Sequence, residues 1–253
     1  MRWKFLSYEC AGLLLATQFV VTLPGAESAG RKARVLIVTG IDYPGHLWKQ
    51  TAPALAEGLR KDPRLEVFTI EDPNFLDSAA ITNYNVLLLH FQNWQTAGPG
   101  QSARDNLKRF VEQGGGLVSV HFACGAWFDE WPGFVKILGR VYSPKLRPHD
   151  AYGKFRVNII DSAHPVTKGL PSFDTTDELY TCLTGDEPIH VLAAATSAVD
   201  KKDYPMAFVH ECRRGRVFLT TLGHDLNAVT NTSVPELMRR GCAWAAGLAP
   251  AVE

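Results

Sequence analysis

The chain carries eight histidines, and four of them, His46, His121, His149 and His224, fall in loops rather than on apolar faces. A neutral imidazole at such a place is a proton carrier or a metal ligand; it is rarely a durable nucleophile. His121 is the most informative of the four. It ends the run Gly114-Gly115-Gly116-Leu117-Val118-Ser119-Val120-His121, which reads as a helix stop followed by a short buried strand, and Cys124-Gly125 follow closely. His46 closes a glycine-bearing loop after the first apolar strand, and His224 lies in Gly223-His224-Asp225 after the last. Chemistry in open α/β sheets gathers at the carboxyl ends of strands, so these three residues are expected to project from one edge. His46, His121 and His224 are therefore the candidate ligands of a divalent metal such as zinc. His149 sits in a long loop able to fold across that edge. Glu178, Asp150 and Asp225 are carboxylates within reach, as ligands or as groups that orient ligands. Glu178 or His149 is the expected base and Asp225 the orienting acid. No HExxH or CxxC motif is present, so the signal is scattered along the chain.

Aromatic residues accompany these histidines. Tyr43, Trp48, Trp94 and Tyr152 are candidate substrate-binding residues, because flat aromatic faces suit sugar rings whose hydroxyls seek polar partners. Trp127 and Trp131 lie in the same region, although core packing accounts equally well for Trp131 and Trp244. The remaining histidines read as structural: His164, before Pro165, as a turn brace, and His90, His190 and His210 as core or surface residues. Cys124 paired with His224 is a conceivable nucleophile and base, but Cys124 lies three residues beyond the expected strand end. A GxSxG elbow is missing, and Gly40 to Gly45 lacks the glycines of a dinucleotide loop.

The elements that must position these groups alternate. Apolar strands are expected at 34–39, 65–70, 84–91, 117–121 and 216–221, with helices at about 103–113, 127–140 and 235–246 and another through Leu55 and Leu59. Further strands are expected at 155–160, 189–194 and 206–210. Buried apolar strands alternating with helices indicate an α/β fold with a mostly parallel sheet and helices on both faces. No internal repeat or long linker divides the chain, so residues 30–253 read as one domain.

Acidic and basic residues balance at 26 each, and no basic stripe occurs, which excludes nucleic acid as the expected partner. Met1-Arg2-Trp3-Lys4, an apolar stretch from Ala11 to Leu23 and the small residues after Pro24 form the pattern of a cleaved secretory signal over residues 1–29. A periplasmic or secreted protein without stable membrane insertion is expected, with self-association left open. Cys124, Cys182, Cys212 and Cys242 would remain in the mature chain, read as buried free thiols.

Taken together, Gly40-x-x-Tyr43-Pro44-Gly45-His46-x-Trp48, Gly114-Gly115-Gly116-Leu117-Val118-x-x-His121 and Asp177-Glu178-Leu179-Tyr180 resemble the ThuA-like (trehalose utilisation) family. So do His164-Pro165-Val166-Thr167-x-Gly169-Leu170, Pro205-Met206-Ala207-Phe208 and Gly215-Arg216-Val217-Phe218 with Leu222-Gly223-His224-Asp225. The resemblance runs from about Arg34 to Ala246. It implies a three-layer, flavodoxin-like sandwich of the class I glutamine amidotransferase type. In those amidotransferases a cysteine occupies the strand–helix elbow. Here His121 stands in its place, so amidotransferase activity is expected to be lost. The resemblance also implies a role in trehalose, disaccharide or 3-keto-glycoside catabolism, with a small carbohydrate as partner. Two readings stay open: metal-dependent hydrolysis or elimination, and a non-catalytic carbohydrate-binding or scaffold module.

Overall fold

The computed structural model of the chain describes residues 32–41, 44–231 and 233–249; the expected signal segment and Tyr43 lie outside the described residues. Strands β1 (Ala33–Val38), β2 (Leu65–Ile70), β3 (Val86–Leu89) and β4 (Gly116–Val120) come first, with helices α1 (Trp48–Arg60) and α2 (Gln101–Glu112) between them. Helix α3 (Phe134–Leu138) and strands β5 (Val141–Tyr142), β6 (Gly153–Ile159), β7 (Phe173–Asp177), β8 (Leu183–Thr184), β9 (His190–Thr196), β10 (Asp203–Cys212) and β11 (Gly215–Thr220) follow. Helices α4 (Leu226–Thr230) and α5 (Ser233–Ala245) close the chain.

Nine strands form one sheet in the order β2-β1-β3-β4-β11-β10-β9-β6-β7, and β5 pairs with β8 separately. The half from β2 to β11 is parallel; β10, β9, β6 and β7 continue it as an antiparallel meander. The reason for the parallel half is visible in β1, β3 and β4, whose side chains are apolar on both faces and must be covered twice. Along β1, Val35 and Ile37 enter one core with Leu55 and Leu59 of α1 and Leu237 and Met238 of α5. Leu36 and Val38 enter the other, with Leu107 and Phe110 of α2 and Ile137 of α3. Strand alternation thus sets the helices on two faces, giving the three-layer α/β sandwich. Among the described residues no helix is long and apolar enough to cross a membrane.

Two expected elements differ. The helix anticipated over 127–140 shortens to α3, because Trp127 and Asp129 take positive φ values of 52° and 60° and break the helical path. Strand β7 is not among the expected strands; its sequence Phe-Asp-Thr-Thr-Asp alternates inward Phe173, Thr175 and Asp177 with outward polar residues. All four described cysteines are buried free thiols.

Candidate metal centre

Three loops and one strand end meet at the carboxyl edge of the parallel strands. The loop after β1 delivers His46, that after β4 delivers His121, that after β11 delivers His224, and the segment leaving β7 delivers Glu178. One ligand atom from each lies within 4.8 Å of the others. Metal–ligand bonds of about 2 Å to imidazole nitrogen and carboxylate oxygen span a comparable shell. The imidazole rings are mutually edge-on, His46 lying 5.0 Å from both His121 and His224 between ring centres.

Backbone geometry explains how the loops arrive. Gly40 has φ of +119°, and a Cβ there would stand 2.1 Å from the Glu71 carbonyl oxygen, so only glycine lets the chain turn off β1. His121 itself adopts φ of +49°, the left-handed region that a side chain enters at a cost of about 1 kcal/mol or more. That turn holds the fully buried imidazole in place. Its Nδ1–H donates to the Thr221 carbonyl at 2.6 Å, which turns Nε2 towards the cluster. Nε2 faces the Tyr180 hydroxyl at 3.2 Å, His224 Nδ1 at 3.3 Å and Glu178 Oε2 at 3.5 Å. His224 Nδ1 is 3.2 Å from the same carboxylate oxygen, and His149 Nε2 is 3.5 Å from the other.

Electrostatics prepare these groups for a cation. Burial, with His121 and His224 beside it, pushes the His46 imidazole down to about 2 against the weaker pull of Glu178, so the ring stays neutral. For Glu178, burial alone would raise the carboxyl, but its hydrogen bonds to and attraction by His121 and His224 hold it well below the usual carboxylate range. For His224, burial lowers the imidazole and Glu178 outweighs it, giving a net rise. Three neutral-capable imidazoles around one ionised carboxylate are a donor set that zinc and related divalent ions accept. The residues present fit such an ion.

Asp177 is the residue whose role sequence reasoning missed. Fully buried, it accepts backbone N–H groups from Gly223 at 2.7 Å, Glu178 at 2.8 Å and His224 at 3.2 Å. It thereby ties the β7 exit to the β11 exit and aims two candidate ligands at one point. Burial raises its carboxyl, opposed by the charge of His121 and by those N–H groups. Its only sequence signal was the adjacency Asp177-Glu178.

The other expected site residues divide. His149 does fold over the edge, its Nδ1–H donated to the Asp150 carbonyl at 2.7 Å and its ring stacked near Tyr180. Tyr152 stands beside the cluster, its hydroxyl donating to Asp225 Oδ2 at 2.7 Å and its ring 5.5 Å from that of His224. Asp225 also accepts from Ala228 N and caps α4. Asp150 turns away from the cluster: it pairs with Arg147 and accepts from Ser197 and from Ala198 N. Trp48 is 6% exposed and lines a separate cavity with Arg60, Thr69 and Glu71. The indole of Trp94 donates to the Gly125 carbonyl at 3.0 Å and packs on Tyr142, bracing the loop behind His121. Cys124 is 1% exposed and burial pushes its thiol well up, which withholds the thiolate that nucleophilic attack requires. His90 is a core residue held between the Thr39 and Thr51 hydroxyls, and His164 braces its turn by accepting from Val166 N.

Solved structures share this architecture. A ThuA-like protein from Parabacteroides merdae superposes with a TM-score of 0.77 at 23% identity, over 88% of this chain and 93% of its own. Another from Bacteroides uniformis gives 0.70 at 21% identity, over 88% and 95%. A cytoplasmic protein from Salmonella typhimurium gives 0.59 at 10%, over 84% and 99%. At these identities the likeness shows the fold, which is of the glutamine amidotransferase type. No curated protein matches the sequence. The sequence profile of ThuA, described as trehalose utilisation, matches residues 34–245, a span that contains all four members of the cluster. The chain belongs to the ThuA family, which suggests a role related to trehalose utilisation.

Proposed function

We propose that the protein is an exported, metal-dependent enzyme of trehalose or related disaccharide catabolism that cleaves an oxidised (3-keto) glycoside. The observation that carries this reading is the convergence of His46, His121, His224 and Glu178 at the carboxyl edge of the sheet. The family supports the sugar class, and the aromatic and polar rim of Tyr152 and His149 suits a ring bearing hydroxyls.

A ketone at C3 of a sugar acidifies the C2–H. Removal of that proton places an electron pair that expels the glycosidic oxygen from C1, and the departing alkoxide takes up a proton. With Glu178 committed to the cluster, His149 is the base: its Nδ1–H is donated to the Asp150 carbonyl, so Nε2 receives the C2 proton. A divalent ion held by the four cluster residues would supply Lewis-acid stabilisation of the developing oxyanion. Tyr152, held by Asp225, positions the sugar, while the buried Tyr180, with its hydroxyl against His121 Nε2, orients that imidazole. His121 in the elbow and an inert Cys124 leave no nucleophile for glutamine, so amidotransferase chemistry is absent from the proposal.

The test is turnover of 3-keto-trehalose by purified protein, with elemental analysis of the same sample. Released sugar together with bound divalent metal, both lost in His121→Ala, supports the proposal. A metal-free, fully active protein removes the metal. Tight binding without product, unchanged by the substitution, identifies a carbohydrate-binding module instead. Export is checked by fractionating the producing cell and sequencing the mature N-terminus, expected near residue 30.

A further inference from the structure

At the opposite end of the parallel strands lies a cavity of about 600 Å³, lined by the residues that lead into β3, β4 and β11 and by the ends of α2 and α5. It is separate from the candidate metal centre, since the five residues of β4 between them span about 17 Å. Arg109, Arg214 and Arg216 line it together with Tyr84, Asn85 and Phe110, and no carboxylate is among its described lining residues.

The three guanidiniums are held in a graded way. Arg216 donates to the Trp244 carbonyl at 3.2 Å and lies 5.4 Å from the centre of the Trp244 ring. Arg109 donates to Asn106 Oδ1 at 3.3 Å. Among the described residues, Arg214 makes no side-chain hydrogen bond and none of the three pairs with a carboxylate. Each guanidinium has five N–H donors, so most of the donors on this wall have no acceptor among the described residues. Gly115 helps shape the wall: a Cβ there would stand 2.3 Å from the Phe110 ring, so glycine lets that ring close the cavity floor.

A purely structural reading is that these arginines neutralise the ends of α2 and α5. Each helix end carries about half a negative charge. Three guanidiniums against two such ends leave about two positive charges over, more than capping needs. That surplus matches one phosphate monoester, whose charge is about −1.5 to −2 and whose oxygens accept bidentate guanidinium bonds. The volume falls within the usual range for small-molecule sites, and the Tyr84 ring with the Asn85 and Gln113 amides borders the space beyond the charged wall.

We propose that this cavity is a second ligand site, taking a small phosphorylated molecule with a polar, ring-sized body. The probe is glucose 6-phosphate, titrated calorimetrically into the full chain, with glucose and succinate as controls. Binding of the phosphate ester is expected to weaken with added salt, to persist in His121→Ala, and to fall at least about tenfold in the Arg109→Gln/Arg214→Gln variant. Should that variant not fold, Arg214→Gln alone serves, because among the described residues its guanidinium holds no other side chain or carbonyl in place. The proposal is overturned if glucose or succinate binds as tightly, if the arginine substitutions leave affinity unchanged, if His121→Ala abolishes binding, or if no heat is detected. These outcomes are independent of whether the metal centre turns over a glycoside.

Discussion

Removing Asp177 tests how a centre built from three loops and a strand end is aligned. The residue touches neither a sugar nor a reacting atom in the proposed scheme; it acts by fixing the Gly223 and His224 amides against the Glu178 amide. Asp177→Asn turns an acceptor into a group with an N–H₂ that faces donors. It should cost about 1–3 kcal/mol in urea unfolding and weaken divalent-metal affinity more than it perturbs the far end of the sheet. Metal affinity equal to wild type would show that the loops hold themselves. His90 supplies a second prediction, in pH. Burial pushes its imidazole down to about 3, so the unfolded chain takes up a proton at this residue near pH 6.5 that the folded chain refuses. Stability associated with His90 is therefore present above about pH 6.5 and drains away as pH falls towards the folded value, by about 2 kcal/mol at pH 5. A His90→Gln variant should show a shallower fall of the unfolding midpoint between pH 7 and pH 5; an unchanged slope would mean that the ring titrates normally.

The elements explain why some of this was legible in the sequence. The strands of the parallel half are four to six residues long, rich in apolar side chains and bounded by turn signals, and β1, β2, β3, β4 and β11 lie where that pattern predicts. Three candidate ligands followed directly, since His46, His121 and His224 each come after such a strand. Glu178 was legible only as a candidate base or ligand, because β7 is a short polar strand whose place is set by long-range pairing with β6 and not by its own pattern. Asp177's role depends on amides 46 and 47 positions away, which no local motif encodes. Trp48 and Trp94 show how little an aromatic residue type fixes by itself, since one lines a separate cavity and the other braces a loop. Glycine conformation at the loop after β11 gives a test at this scale. Gly223 has φ of +115°, and a Cβ there would stand 3.0 Å from Met238 Cε and 3.2 Å from Val120 Cγ1, whereas Gly169 has φ of +77° and open space. Alanine at either position should destabilise by roughly 1 kcal/mol or more through backbone strain. Only Gly223→Ala should also reduce metal uptake, measured by titration of the folded variant, because only that turn carries a cluster residue.

For the whole molecule, the cluster joins segments that are remote in the chain: His46, His121, Glu178 and His224 cannot be brought together unless β1, β4, β7 and β11 are all in place. An unfolded chain presents the same side chains singly, so a metal binds the folded state far better. The linkage then follows from mass action: at a free metal concentration about 100 times the dissociation constant, folding gains about 2.7 kcal/mol. For a domain of this size that is a rise in unfolding midpoint of roughly 5–10 °C. Zinc or another divalent ion added to chelator-treated protein should give that rise, and a chelator should reverse it. Acid should diminish it, since the imidazole ligands must be neutral to bind and protons compete for them as pH falls. Two controls separate the cluster from incidental metal binding. His121→Ala should abolish the rise, whereas His190→Ala, an exposed histidine paired with Asp161, should leave it intact. A midpoint indifferent to metal in wild-type protein, or a rise that survives the loss of His121, would show that the four side chains hold one another and not an ion.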